Sequence, residues 1–208
     1  LSGLKATQPD LKGVFSATRG NHGQSLAYAA GKLGLTAVIV VPEGNGPDKN
    51  NAIKALGAEL IVHGADFQEA LEFTEKLAKE RDLFMIGPFE KPLLRGVATY
   101  ALEFFEQAGN LDAVYVPIGM GSGICGLITV RDALGLKTEI IGVVAEGAPA
   151  YALSFEKGDV VSTDTVDTIA DGVACRVPSP EAFAIIKAGA ARVIRVNDEQ
   201  IMDAMGHY

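Results

Sequence analysis

The sequence predicts an α/β protein with two lobes of parallel, doubly wound sheet and helices on both faces. Short β-branched runs alternate with helical patterns along the chain, which is the order of parallel strands joined by crossover helices. The run Ala37–Val41 is apolar throughout, as expected of a strand buried on both faces. Gly34, Gly57 and Gly135 directly follow helical patterns, where helices commonly end.

The elements follow one another in a regular order. The predicted strands are Gly13–Ala17, Ala37–Val41, Glu59–Val62, Leu83–Ile86, Ala113–Ile118, Glu139–Ala145 and Arg192–Val196. The predicted helices are Asn21–Leu33, Asp48–Leu56, Asp66–Glu80, Gly96–Gln107, Gly123–Leu134, Pro149–Phe155, Pro180–Lys187 and one that begins near Asp198. Asp48 is of the residue type favoured at a helix N-cap. A turn-like break at 107–111 predicts two domains, 1–107 and 108–208.

Composition excludes several classes of protein. Of the residues, 48% are hydrophobic and 21% charged, and the net charge is −8. This is a globular balance without the basic patches that bind nucleic acid or anionic membranes. No apolar run reaches membrane-spanning length and no signal peptide is recognisable, so we expect a soluble, cytoplasmic protein. The two cysteines, Cys125 and Cys175, are too few for a disulfide framework and are expected to be buried and reduced.

The first motif (residues 16–24, SATRGNHGQ) stands at the end of a predicted strand and opens a helix. Such a junction presents unpaired backbone N–H groups and the positive end of a helix dipole, which suit an anion such as a carboxylate. Gly20 and Gly23 allow close approach of a ligand. Asn21 and Thr18 can hydrogen-bond a ligand hydroxyl and a carboxylate. The alternative is an ordinary helix start, with the asparagine as N-cap and the histidine on the surface.

The second motif (residues 119–126, GMGSGICG) follows the strand Ala113–Ile118 and also opens a helix. It holds four glycines in eight residues. Glycines are conformationally costly, and a dense group of them is typical of a backbone that wraps around phosphate oxygens. We therefore favour phosphate binding over a plain turn.

The second motif also fits a dinucleotide-binding pattern. Gly121, Gly123 and Gly126 spell G-x-G-x-x-G, and Glu146 follows about twenty residues later, where a ribose-binding acid would stand. A nicotinamide-dependent oxidoreductase is thus an alternative. The first motif weakens it, because a dinucleotide site does not need a second anion-binding helix start in the preceding lobe.

The two motifs together, in this order, resemble the fold type II pyridoxal-phosphate enzymes, which have a tryptophan synthase β-like fold. The resemblance is to threonine dehydratases (threonine ammonia-lyases), serine dehydratases and serine racemases, and runs over nearly the whole chain. Residues 34–64 resemble the family's small domain, and Thr168–Ala174 resembles its T-I-A-D-G stretch. The resemblance implies a small domain with a substrate-carboxylate loop over 1–107, and part of a large cofactor-binding domain over 108–208.

The resemblance also implies the cofactor, the reaction and the roles of residues. The cofactor would be pyridoxal 5'-phosphate, and Asn21 would bond its ring hydroxyl. The phosphate would be cradled by Gly119, Met120, Gly121, Ser122 and Gly123. The substrate would be bound by Thr18, Arg19, Gly20 and His22. The reaction would be dehydration and deamination of a small hydroxy-amino acid such as L-threonine or L-serine to a 2-oxo acid and ammonia. A racemase and an inactive binding lobe are alternatives, and a homodimer is expected.

The chain departs from the family pattern at several places. The family's lysine segment precedes the first motif, and nothing in this chain matches it, so the chain lacks the lysine that would carry the cofactor and we expect it upstream of Leu1. Arg19 replaces a small residue, either as an exposed charge or as a contact to an acidic or unusually polar substrate. Glu146 aligns with a cation ligand of the serine racemase branch, but Ala152 replaces the accompanying aspartate, so no metal is predicted.

Overall fold

The computed structural model describes residues 1–207, which fold as two compact units. The unit Leu1–Pro88 contains α1 (Ser2–Thr7), β1 (Gly13–Ala17), α2 (Asn21–Lys32), β2 (Thr36–Val41), α3 (Pro47–Ala55), β3 (Glu59–Val62), α4 (Phe67–Arg81) and β4 (Phe84–Met85). The unit that starts at Phe89 contains α5 (Lys91–Ala108), β5 (Ala113–Pro117), α6 (Ser122–Ala133), β6 (Glu139–Ala145), α7 (Ala150–Lys157), a 3-10 turn (Asp171–Val173), α8 (Pro180–Gly189), β7 (Arg192–Val196) and α9 (Asp198–Met205).

The first unit is a four-stranded parallel sheet in the order β3-β2-β1-β4. Side chains of β2 alternate between its two faces. Ile39 packs in the same core cluster as Leu26 of α2, whereas Val38 and Val40 pack with Ala70 of α4. Helices therefore cover both faces, and the predicted doubly wound α/β fold is confirmed. The first motif lies where β1 ends and α2 begins.

The second unit has a three-stranded parallel sheet in the order β5-β6-β7. Its core cluster includes five residues of α6 between Ile124 and Val130, together with Ile140 of β6 and Ile186 of α8. The second motif connects the end of β5 to the start of α6. Each motif is thus held between a buried strand and a buried helix of its own unit.

The compact units divide after Pro88, whereas the sequence placed a boundary at 107/108. The reason is α5, which begins at Lys91 rather than at the predicted Gly96. It packs tightly on α6, since a Cβ added at Gly126 would lie 3.3 Å from Val97 Cγ1. Because α5 packs on α6, it belongs to the second unit, and the boundary lies before α5 rather than after it.

Two smaller differences concern helix and strand ends. The helix α3 has Gly46 as N-cap and a proline in its first turn, so Asp48 lies inside the helix and is not its cap; proline suits this first turn because its missing N–H is not needed there. The predicted strand Leu83–Ile86 shortens to Phe84–Met85, because only Val14 and Phe15 of β1 pair with it.

The cysteines are buried and form no disulfide, as predicted. Burial raises the pKa of Cys125 and of Cys175 to about 12. Both thiols are therefore protonated at neutral pH, and a protonated thiol is a poor nucleophile. No helix among residues 1–207 is long and apolar enough to cross a membrane.

Candidate functional site

The first motif forms the helix start that the sequence predicts. Gly20 is the N-cap of α2 and, as a glycine, has no side chain that could cap the helix. The structure makes Asn21 the first helical residue, so the alternative with Asn21 as N-cap is wrong. The backbone N–H groups of Asn21 and His22 have no hydrogen-bond acceptor within residues 1–207. Together with the helix dipole they form a neutral donor set for an anion.

The Thr18 side chain holds the backbone of this loop through two hydrogen bonds. Its side-chain oxygen accepts hydrogen bonds from the N–H of Gly20 at 2.9 Å and from the N–H of Gly23 at 3.4 Å. Thr18 is buried, with 4% of its surface exposed. A Cβ added at Gly23 would lie 2.5 Å from Thr18 Cγ2 and 2.9 Å from Ile39 Cγ2, so only glycine fits there. The contact of Thr18 with a substrate carboxylate stays a prediction.

Asn21 and Arg19 flank Gly20 and differ in burial. Asn21 is exposed, and its amide is available to a ligand. Arg19 is partly buried, and its Nε is buried without a hydrogen-bond partner. The structure therefore brings all four predicted substrate residues and the predicted ring-hydroxyl partner together at one strand end.

His22 is held in a defined tautomer. The Ser16 hydroxyl makes its shorter hydrogen bond, 2.8 Å, by donating to the Ile86 carbonyl. It therefore accepts from His22 Nε2, which lies 3.1 Å away, and the free lone pair of the neutral ring is on Nδ1. Burial lowers the pKa of His22 to about 4, so the ring is neutral at physiological pH. His22 is largely enclosed, which excludes the surface alternative.

The buried His22 predicts a loss of stability in acid. The unfolded chain binds a proton on this ring near pH 6.5, and the folded chain only near pH 4. As the pH falls between these values, the free energy of unfolding is expected to drop by up to about 3 kcal/mol. Urea unfolding of wild type and of His22→Gln at several pH values measures this slope, which the variant should lose. His207→Gln, at an exposed histidine, should keep the slope; an equal slope in His22→Gln contradicts the assignment.

The second motif presents a larger set of free donors. Gly121 is the N-cap of α6 with φ +97°, and no side chain caps this helix. The backbone N–H groups of residues 119–124 have no acceptor within residues 1–207. A Cβ added at Gly121 would lie 2.9 Å from Ala182 Cβ, whereas one at Gly123 would have only Tyr100 Oη nearby, at 3.6 Å. A side chain at position 121 would therefore collide with the protein core, whereas Gly123 lies on the open side of the loop.

Two tyrosines fix the backbone of the second motif. Tyr151 donates to the Met120 carbonyl at 2.9 Å and accepts from the Ser179 N–H at 3.1 Å. Burial raises the pKa of Tyr151, so its hydroxyl remains a donor. Tyr100 donates to the Gly123 carbonyl at 3.1 Å. The carbonyls are therefore held by the protein, and the N–H groups are left for a ligand.

The segment Thr168–Ala174 lies against the second motif. A Cβ at Gly119 would be 2.6 Å from the Gly172 carbonyl oxygen. The segment is tied down by Asp198, whose carboxylate accepts from the Thr168 hydroxyl at 2.6 Å and from the Ile169 N–H at 2.9 Å. Asp198, at the start of α9, thus holds the segment Thr168–Ala174 in place, and this segment in turn contacts the second motif.

Sequence reasoning missed the residues that support the two motifs. The sequence marks Ser16 only as part of the first motif, and it places Tyr151 and Asp198 in predicted helices without a further role. The partners of Ser16, Tyr151 and Asp198 are 70, 31 and 30 residues away in the chain, so no local pattern reveals them. The one available signal was the T-I-A-D-G resemblance, which marked the segment without indicating what it contacts.

Glu146 is exposed, and its N–H donates to the Val196 carbonyl. Within residues 1–207, no group of three or more His, Cys, Asp or Glu side chains is placed to hold a metal ion. Gly126 serves the packing of α6 on α5, which gives the third glycine of the dinucleotide-like pattern a role in helix packing.

Comparison with known proteins identifies relatives over nearly the whole chain. A family model described as "Pyridoxal-phosphate dependent enzyme" matches residues 3–208. The catabolic L-threonine dehydratase of Staphylococcus aureus (strain USA300) is 35% identical over 195 residues, which cover 93% of this chain and 56% of that relative. The chain thus spans little more than half the length of the curated relatives it matches.

Solved structures agree with this relationship. The processed form of threonine deaminase isoform 2 from Solanum lycopersicum is 34% identical, with a TM-score of 0.85, over 94% of this chain and 57% of that one. A pyridoxal 5'-phosphate-dependent aspartate racemase is 28% identical, with a TM-score of 0.92, over 99% of this chain and 64% of that one. Maize serine racemase is 28% identical, with a TM-score of 0.87, over 94% of this chain and 60% of that one.

Proposed function

Because the chain belongs to the family of pyridoxal-phosphate dependent enzymes, we propose that it serves in the β-elimination of a hydroxy-amino acid, of the type of L-threonine or L-serine. The products are a 2-oxo acid and ammonia. The observation that carries the proposal is the 35% identity to an L-threonine dehydratase across 93% of the chain. The family assignment decides against the nicotinamide-dependent alternative.

The cofactor of the family is pyridoxal phosphate, and the second motif fits its phosphate. The N–H groups of residues 119–124 are unpaired within the described chain, and they stand at the N-terminus of α6, which favours an anion. The side of the loop that meets the protein is closed by Ala182 and Tyr151, while Gly123 is open. Gly119, Met120, Gly121, Ser122 and Gly123 would hold the phosphate through their backbone.

The first motif would orient the substrate. The N–H groups of Asn21 and His22 would donate to its α-carboxylate, in a loop that Thr18 keeps in shape. The Asn21 amide would donate to the ring hydroxyl of the cofactor. His22 would stay neutral, with its proton on Nε2 and directed to Ser16, so it adds no charge beside the bound carboxylate.

The reaction needs a carbanion at Cα to be stabilised. Pyridoxal phosphate, when bound, supplies an electron sink for the pair left by the Cα proton. The pair then expels the β-hydroxyl, which leaves as water after protonation, and hydrolysis of the resulting enamine releases ammonia and the 2-oxo acid. The residues of this chain bind and orient in these steps, and none of them is assigned the proton transfer at Cα.

Racemisation is the second candidate. It is favoured by the TM-score of 0.92 to an aspartate racemase over 99% of this chain. Racemisation and elimination share the loss of the Cα proton; the first then returns a proton to Cα, and the second expels the β-hydroxyl.

The proposal also includes a homodimeric state and a cytoplasmic location. Light scattering of the purified protein tests the first, and cell fractionation tests the second.

The test is a product assay on the purified full-length gene product. With pyridoxal phosphate and L-threonine or L-serine, 2-oxo acid and ammonia should appear in equal amounts, measured by coupled assays. Chiral chromatography monitors the D-enantiomer in the same samples. A D-enantiomer that forms faster than ammonia would establish the racemase instead, and failure to bind the cofactor would refute both.

Two asparagine variants separate the site from the surface. Asn21→Ala should lower kcat/KM by about 10-fold, since the hydrogen bond of its amide to the ring hydroxyl of the cofactor is lost. Asn51→Ala changes an exposed asparagine on α3 and should leave kcat/KM unchanged. Equal effects of the two substitutions would contradict the role of Asn21.

A further inference from the structure

Arg19 carries a buried donor without a protein partner. Its Nε is buried, and no atom of residues 1–207 accepts a hydrogen bond from it. Two other arginines of the chain form ion pairs, Arg81 with Glu59 at 2.7 Å and Arg195 with Glu156 at 2.7 Å. Both of these pairs are at the surface, whereas the unpaired nitrogen of Arg19 is enclosed. A buried donor without an acceptor destabilises a fold, so it indicates a ligand that supplies the acceptor.

The N-terminus of α2 directly follows Arg19. Arg19 precedes Gly20, the N-cap of α2, and this end of the helix carries a partial positive charge. The arginine and the helix therefore both favour an anion at this loop, although the chain as a whole carries −8.

The α-carboxylate of an amino acid does not require this arginine. The N–H groups of Asn21 and His22 are unpaired within the described residues and form a neutral donor set at the helix start. The guanidinium is additional to this set, and its planar fork matches a carboxylate. Two separate donor groups at one loop correspond to a ligand with two anionic groups.

We propose that Arg19 binds a second carboxylate, on the side chain of the substrate, so that the preferred substrate class is a dicarboxylic hydroxy-amino acid such as 3-hydroxyaspartate. This inference rests on the proposed function and specifies its substrate. The reaction balances as before: the β-hydroxyl leaves as water, the amino group leaves as ammonia, and the product is a dicarboxylic 2-oxo acid.

The first experiment compares substrates on the full-length holoenzyme. The kcat/KM for 3-hydroxyaspartate should exceed that for L-threonine and L-serine by at least about 10-fold, since one charge-assisted bidentate contact is gained. Arg19→Gln should lower kcat/KM for 3-hydroxyaspartate by about 100-fold, mainly through KM, and change that for L-serine by less than about 3-fold. Arg19→Lys should fall between, because lysine keeps the charge and loses the fork.

A matched control removes an equal charge elsewhere in the same unit. Arg81→Gln, at a paired surface arginine, should change neither kcat/KM. Equal losses on 3-hydroxyaspartate and L-serine in Arg19→Gln would place Arg19 on the α-carboxylate and overturn the inference. A weakened affinity for pyridoxal phosphate, measured by its visible absorption, would assign Arg19 to the cofactor and also overturn it.

A binding measurement separates this inference from the proposed function. Succinate and butyrate differ by one carboxylate, and succinate has the carboxylate spacing of 3-hydroxyaspartate; calorimetry on the holoprotein compares them without turnover. Succinate should bind at least about 10-fold more tightly, and Arg19→Gln should abolish the difference. If this holds and no ammonia forms, the function fails and the role of Arg19 stands; if L-threonine is deaminated but succinate has no advantage, the function stands and the role of Arg19 fails.

Discussion

Gly121→Ala is expected to lower the free energy of unfolding by about 3 kcal/mol, because it adds backbone strain to a steric clash. Gly121 has φ +97°, a conformation that L side chains rarely adopt. Its Cβ would also lie 2.9 Å from Ala182 Cβ and 3.2 Å from Tyr151 Oη. Both neighbours belong to the buried core of the second unit, so neither can move without disturbing it.

The same substitution should weaken pyridoxal phosphate binding by at least about 10-fold, since a shift of the loop misaligns the N–H groups that hold the phosphate. Urea unfolding measures the first effect, and titration of the visible absorption measures the second. Gly135→Ala is the matched control, with φ +66° and no atom within 4 Å of the added Cβ. It should cost only about 1 kcal/mol and leave the cofactor affinity unchanged; equal effects of the two variants would argue that the clash at Gly121 does not matter.

Tyr151→Phe is expected to lower the free energy of unfolding by about 2 to 3 kcal/mol, because two hydrogen bonds disappear while their partners remain enclosed. The hydroxyl donates to the Met120 carbonyl and accepts from the Ser179 N–H. Tyr151 is 1% exposed, so water cannot readily replace the hydroxyl. The Met120 carbonyl would lose its anchor, and cofactor affinity should fall together with stability.

An exposed tyrosine gives the control for this substitution. Tyr28 is 57% exposed, and Tyr28→Phe should change the free energy of unfolding by less than about 0.5 kcal/mol. Denaturation monitored by circular dichroism and cofactor titration are run on both variants. A Tyr151→Phe protein as stable as wild type, with unchanged affinity, would show that the hydroxyl does not fix the second motif.

The fold and the positions of both motifs were determined by local patterns in the sequence. The apolar run of β2 predicts a strand buried on both faces, and its residues after Thr36 are all buried. The alternation of strands and helices predicts parallel pairing, which is observed in both sheets. Glycine-rich strand-to-helix junctions predict anion-binding helix starts because the requirement is a property of the local backbone. Both helices begin at an N-cap glycine, which offers no capping side chain.

Local patterns were weaker where an element depends on its neighbours. The start of α5 lies before the predicted Gly96, in a stretch with Pro92 and no strong helical periodicity. Packing of α5 on α6 stabilises this early turn, and the same packing makes α5 part of the second unit. Sequence reasoning placed a boundary at the turn after α5, because a turn is visible locally and a helix–helix contact is not.

The sequence by itself thus determined the α/β fold, the family and the two loops, whereas the tertiary structure decided how the loops are held. The hydrogen bond of Ser16 to Ile86 fixes the tautomer of His22 across 70 residues of chain. Tyr151 and Asp198 support the second motif from about 30 residues away. The tertiary structure also shows that the Nε of Arg19 is buried, so this side chain is not simply an exposed charge. Burial and partner choice depend on residues distant in the chain, so no local pattern of residue types records them.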